Sequence, residues 1–279
     1  VFAMLNTIKM DLYRMFKARV LYVTIIIATI SVIASLGTAR YQLDHPAFQE
    51  MMKDAIEETD DMGLEVGIQG GNVAIVTEDT STDDVFIGTF AGGIFLVMGV
   101  VFCVVFVCTE HNSGFIKNIV SRKGYRGQMS ASKSITMVAY TLVQFVVGIG
   151  AFLIMYAVLF DGFHFASVGN FLRYIGIQAL IQVALMNLCI LFCNVVRNMA
   201  FSMAFGICIS SGLFSLVTAL IDKFDLPFKT TDYLLSILMK RLPITYDSTL
   251  YIRALVISII SIAVYQFASL ITMKKQDIK

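Results

Sequence analysis

Charge is scarce in this chain. Of 279 residues only 15% are Asp, Glu, Lys or Arg, while 57% are hydrophobic and the mean hydropathy is +0.78. Tryptophan is absent, and there are three prolines and three histidines. Such a composition excludes an ordinary soluble domain, an intrinsically disordered segment and a nucleic-acid binder with a large basic field. The His-Glu-x-x-His pattern of a metallopeptidase is missing, and His45, His111 and His164 lie outside the apolar runs. The only adjacent glutamates, Glu57 and Glu58, sit in a polar stretch, so an intramembrane peptidase lacks its acid pair or its metal ligands. No Asp, Glu, Lys or Arg falls near the middle of any long apolar run, which argues against a proton relay or a carboxylate ion site. The five cysteines, 103, 108, 189, 193 and 208, lie within apolar runs at spacings that fit neither a metal site nor a disulfide framework. They read as small packing residues.

What is present is a series of apolar runs long enough to cross a bilayer. A hydrocarbon core about 30 Å thick needs about 20 mostly apolar residues per helical crossing. Six runs meet that length: Arg19 to Thr38, Ile87 to Thr109, Ile135 to Phe160, Leu172 to Val196, Met199 to Ile221 and Tyr251 to Met273. The predicted fold is therefore all-α and polytopic. The first run is longer than a cleaved signal core and is expected to stay in the membrane. With the N-terminus on the cytoplasmic side, thirteen Lys and Arg flank the spans inside and eight outside. That bias places both termini in the cytoplasm.

The segments between the runs divide by chemistry. Residues 1–18 put Leu5, Ile8, Leu12, Met15 and Phe16 on one helical face, with Asn6, Lys9, Arg14 and Lys17 elsewhere. This is the pattern of an interfacial helix with its cations near anionic lipid. The outer loop 39–86 holds twelve of the twenty acidic residues. Pro46 is placed to start a helix there, and Gly70 with Gly71 to turn a hairpin, so a small folded element is expected. Its acidic run Asp54, Glu57, Glu58, Asp60 and Asp61 is a candidate for attracting cationic ligands by long-range charge. Residues 222–250 carry a short apolar helix after Thr230 and Thr231, too short to span and too apolar to float free.

Residues 124–134, GYRGQMSASKS, nearly spell a phosphate-binding loop, with Gly127 followed after four residues by Ser132, Lys133 and Ser134. A working phosphate loop needs a preceding strand, a glycine before the lysine and a soluble helix after it. Here Phe115, Ile116, Ile119 and Val120 precede at helical spacing, Ser132 replaces the glycine, and a membrane span follows. The match is accidental; Ser130 or Ser132 is expected to cap the third span, and Lys133 to lie at the interface.

The inner turn 110–134 nonetheless reads as a short basic amphipathic helix between Gly114 and Gly124. With Glu110, Gly114, Lys117, Arg126 and Lys133 in that turn, the chain resembles the permease subunits of type-2 ABC exporters. The likeness is greatest to small bacterial permeases of antimicrobial-peptide or bacitracin resistance. The resemblance covers nearly the whole chain, from the interfacial helix through six spans to the outer loops. It implies a coupling helix near Ser113 to Ser121 that docks on a separate ATPase, with Phe115, Ile116 and Ile119 as apolar anchors. Glu110, Ser113, Gly114, Lys117 and Arg126 belong to the same surface, and Glu110 is expected to pair with a neighbouring cation. It further implies no cofactor in this chain, ATP and Mg in two partner ATPase subunits, a second permease of the same or another sequence, and a Gram-positive plasma membrane.

Amides inside the spans are the remaining candidates for a substrate path: Gln144, Gln178, Gln182 and Asn187, with Asn194 and Gln266 nearby in kind. The alternative is that they hydrogen-bond between helices. Lipid, drug or cation export stays open beside peptide export. An ATP-independent transporter or channel is a third class, disfavoured by the lack of broken helices and of central ions.

Overall fold

In the computed structural model, the described residues are 2–45, 47–48, 51, 81–91, 93–112, 126–160, 162–163, 165, 167–214, 221, 234–242 and 248–275. They form helices, and among them there is no strand. In chain order the elements are α1 (Phe2–Lys17), α2 (Arg19–Asp44), α3 (Thr82–Ala91), α4 (Ile94–Asn112), α5 (Arg126–Leu159), α6 (Val168–Val196), α7 (Met199–Ser210), α8 (Leu235–Arg241) and α9 (Ser248–Lys275). Among the described residues five stretches are long and apolar enough to cross a membrane: Arg19–Asp44, Thr82–Glu110, Gln128–Leu159, Val168–Val196 and Ser248–Met273. The protein is a membrane-embedded, multi-pass helical bundle.

The fifth apolar run departs from expectation. It is helical from Met199 to Ser210, then turns through Ser211 to Leu213 with Gly212 at φ 85°, and 215–220 lie outside the described residues. Twelve residues rise about 18 Å, too little to cross alone. The second run is also not one rod. It breaks between α3 and α4, where Gly93 takes φ 76°, a left-handed value that a residue with a Cβ rarely adopts. The expectation of unbroken spans is overturned here. In sequence Gly92 registers only as a small packing residue one turn from Gly88, and Gly93 gives no signal.

Spans also run longer than their apolar windows. α2 continues to Asp44, where an Arg40–Asp44 ion pair at 3.4 Å bridges its last turn. α3 begins at Thr82, its first turn capped by the Ser81 hydroxyl, which accepts from the Asp84 amide at 3.2 Å. Both ends of the expected outer loop are thus helix, while the acidic run and the hairpin glycines lie outside the described residues. α5 starts at Arg126, nine residues before its apolar window, so that 126–134 is helix and not loop. α6 ends where Arg197 turns left-handed at φ 54° and donates its amide to the Cys193 carbonyl at 3.0 Å. Asn198 then caps α7, its Oδ1 accepting from the amides of Ala200 at 3.0 Å and Phe201 at 3.3 Å.

Close backbone approach fixes α7 against α4. A Cβ on Gly206 would lie 2.5 Å from Val100 Cγ1, so only glycine permits this spacing. Ser202 and Ser210, on the same face, are buried with it. The small-residue stripe of α7 is therefore used inside this chain. The short α8 buries Leu235, Ile237, Leu238 and Met239 and packs on α6 and α9. Cys103, Cys108, Cys189 and Cys193 are buried free thiols between α4 and α6.

Candidate functional site at the α1 end of the bundle

α1 lies against the end of the bundle where α4 stops and α5 starts. Ala18, between α1 and α2, has extended dihedrals (φ −73°, ψ 122°), so the two helices cannot form one continuous rod. The buried edge of α1 is Thr7, Asp11 and Met15, spaced one turn apart. Leu5 and Phe16 of the apolar face are about half exposed, Asp11, which the apolar patterning left unassigned, is buried, and Arg14, expected near lipid headgroups, is half-buried. Electrostatics outranks apolar patterning here, because a counter-charge is waiting.

That counter-charge is a buried cluster drawn from three helices. Glu110, in the last turn of α4, accepts from the Arg14 guanidinium of α1 through Oε1, and its Oε2 lies 2.6 Å from Lys133 Nζ of α5. Ser132 donates to Asp11 Oδ2 at 2.5 Å, and Arg14 stands 3.7 Å from Asp11 Oδ1. The Arg14 guanidinium also sits 5.3 Å from the Phe106 ring centroid. Two carboxylates face two cations, so the group is formally neutral. Glu110 and Lys133 are wholly buried. Burial pushes the Asp11 carboxyl up to about 6, and the nearby Glu110 charge adds to the rise; the Ser132 hydroxyl, Lys133 and Arg14 oppose it.

The expected pairing of Glu110 with a cation is met twice over. Lys133, by contrast, is not an interfacial lysine reaching for water, and neither Ser130 nor Ser132 caps α5. All three lie inside the helix, with partners on other elements. Ser130 Oγ is 2.8 Å from Ser269 Oγ of α9, which also accepts from Asn194 Nδ2 of α6 at 2.8 Å. Ser134 donates to Asn187 Oδ1 of α6 and stands 3.1 Å from Gln266 Oε1 of α9. Gln266 Nε2 donates to Ser130 Oγ at 3.3 Å. The polar first turns of α5 are thus a seam that joins α5, α6 and α9 beside the ionic cluster.

Of the coupling residues, Glu110 is in this cluster and Arg126 is the first residue of α5. Ser113, Gly114, Phe115, Ile116, Lys117 and Ile119 lie outside the described residues, as do Asp54, Glu57, Glu58, Asp60 and Asp61. The amides of the candidate substrate path all meet protein groups. Gln144 Nε2 donates to the Phe95 carbonyl at 2.9 Å, just after the α3–α4 break, and Gln182 Nε2 donates to Gln144 Oε1 at 2.7 Å. Gln178 Nε2 donates to the Met239 carbonyl of α8 at 2.8 Å, and Asn187 Nδ2 to its own helix at Val183 at 2.9 Å. Gln144 and Gln182 come together; Gln178 and Asn187 are each engaged elsewhere.

Sequence reasoning missed Asp11, Ser132 and Ser134 as functional positions. One signal was available. Asp11 is the sole acid before Asp44, set in a basic segment at helical spacing from Thr7 and Met15. Among the described residues, no three His, Cys, Asp or Glu side chains are grouped to hold a metal ion. In comparison with known proteins, no family model and no curated sequence matches the chain.

Proposed function

We propose that this chain is the membrane-spanning permease subunit of an ATP-driven ABC exporter of the type-2 class. In this reading it clears amphipathic antimicrobial peptides, of the lantibiotic or bacitracin kind, from a Gram-positive plasma membrane. The fifth apolar run completes a sixth crossing, both termini face the cytoplasm, and two such chains or a related pair enclose the path. ATP and Mg are bound by two separate ATPase subunits.

The observation that carries this reading is the ionic cluster. An externally powered transporter needs a joint through which force enters the membrane helices. The turn 113–125 is flanked by α4 and α5, and both flanks are tied by Glu110 and Lys133 to each other and by Arg14 and Ser132 to α1. Buried pairs of this kind contribute little net stability but penalise any other relative placement of the helices. A partner that pushes on the turn therefore moves α1, α4 and α5 together.

The test is co-expression with the cognate ATPase, copurification, and ATPase stimulation by peptides, drugs and lipids. Phe115→Glu with Ile116→Glu should abolish stimulation and export while leaving insertion intact. Stimulation and export both at the wild-type level would remove the coupling assignment. A second reading is favoured by one observation, the glycine break inside the second crossing, since discontinuous helices are common in ion-driven transporters. Transport by the isolated chain in vesicles without nucleotide would select it.

A further inference from the structure

We propose that the outward face of the α1–α2 corner is a binding site for an anionic phospholipid of the leaflet that this end of the bundle reaches. The inference rests on the membrane-embedded fold and holds whether or not ATP drives the protein.

Four cations stand in α1 and the first turn of α2: Lys9, Arg14, Lys17 and Arg19. The structure divides them. Arg14 is turned inward onto Glu110 and Asp11. Lys9, Lys17 and Arg19 are exposed, and among the described residues none of the three makes an ion pair. The acid that would neutralise them, Asp11, is buried on the other side of α1. The next acid in sequence, Asp44, is at the far end of α2. Among the described residues the face therefore carries three positive charges and no negative one, at a depth fixed by the start of a membrane crossing. That is the charge complement of a lipid phosphate layer.

The rings around these cations match the rest of a lipid. Tyr13 is 66% exposed and Phe16 50%, both beside Lys17, whose Nζ is 5.7 Å from the Tyr13 ring centroid. Tyr22 donates its hydroxyl to the Phe16 carbonyl at 2.8 Å, which lays its ring across the corner. Aromatic bodies with polar tips favour the level between headgroup and acyl chain. Lys17 and Arg19 flank the bend at Ala18 and share one phosphate. Lys9, two turns back and about 12 Å away along α1, adds a second point of charge. A soluble anion would satisfy the cations but not the rings, so the two sources of phosphate are separable.

The experiment uses the full-length chain in neutral-lipid nanodiscs titrated with phosphatidylglycerol, phosphatidylcholine or inorganic phosphate, read by retained lipid in native mass spectrometry and by thermal midpoint. Wild type should retain phosphatidylglycerol selectively, with no competition from millimolar inorganic phosphate. Each of Lys9→Gln, Lys17→Gln and Arg19→Gln should weaken retention about fivefold and the triple variant roughly a hundredfold, from about 1 kcal/mol per cation. Arg40→Gln, at the other end of α2, should change nothing. If the triple variant fails to fold, Lys9→Arg, Lys17→Arg and Arg19→Lys together should keep binding. Equal retention of neutral and anionic lipid, equal retention by the triple variant, loss of binding in the charge-preserving variant, or displacement by inorganic phosphate would each overturn the site. A protein that binds phosphatidylglycerol as expected yet shows no ATPase partner would leave this site standing and remove the exporter reading alone.

Discussion

At the α1 end, helices meet through Asp11, Arg14, Glu110, Lys133 and a run of serines and amides. Toward the other end they meet through rings. Phe86 of α3 stacks on Phe90 at 4.0 Å and meets Phe152 of α5 edge-on at 5.0 Å and Phe171 of α6 at 4.6 Å. Phe90 continues to Phe95 at 4.5 Å, and Tyr156 to Phe160 at 4.4 Å. Within a bilayer neither arrangement draws much on the exclusion of water, because lipid tails are as apolar as the side chains. Rings contribute by contact area and tolerate small slips. Charges tolerate few geometries and punish the loss of a partner. The ionic end is thus specified in position, and the aromatic end is held by area.

The sharpest way to break that contrast is to remove the carboxylate at its centre. Glu110→Ala leaves Arg14 and Lys133 without their shared partner and should cost about 3–5 kcal/mol, read by reversible unfolding in detergent. Replacing Asp11, Arg14, Glu110 and Lys133 together by Asn, Met, Leu and Met should restore most of that stability. If the fourfold replacement is no better than the single, position is not what the charges supply. At the aromatic end, Phe86→Ala should cost about 3 kcal/mol through the space left among Phe90, Phe152 and Phe171, with Phe86→Leu recovering much of it.

Next in size is a pH effect. The Asp11 carboxyl titrates near 6 in the folded chain against an ordinary 3.8, so the folded state binds the extra proton between those values. Its contribution is most favourable below about 4 and is lost as pH rises to about 6, on the order of 3 kcal/mol across the window. Asp11→Asn should flatten that slope in thermal scans, and an unchanged slope would assign it to another group. Smallest is Tyr140→Phe. The Tyr140 hydroxyl donates to Thr24 Oγ at 3.0 Å across α5 and α2, and its loss should cost about 1 kcal/mol.

The crossings were legible in sequence wherever apolar length alone decides them, as in α2, α6 and α9. Their ends were not. Ser130, Ser132 and Lys133 look like loop until Asp11, Glu110 and Ser269 are seen to satisfy them from segments far away in sequence. The same blindness hid the inward role of Asp11 and Arg14, since helical patterning sets Arg14 among the outward cations and leaves Asp11 unassigned. Glu110 was legible as an acid at the end of a span, though not that two cations would share it. Gly93 was not legible as a break, because positive φ is a backbone property that composition does not carry.

The discontinuity at Gly93 also separates two anchorages. One crossing consists of two struts: α4 is rooted in the ionic cluster, and α3 is wedged among the phenylalanines. With no continuous helical ladder across Gly93, each strut keeps its own footing.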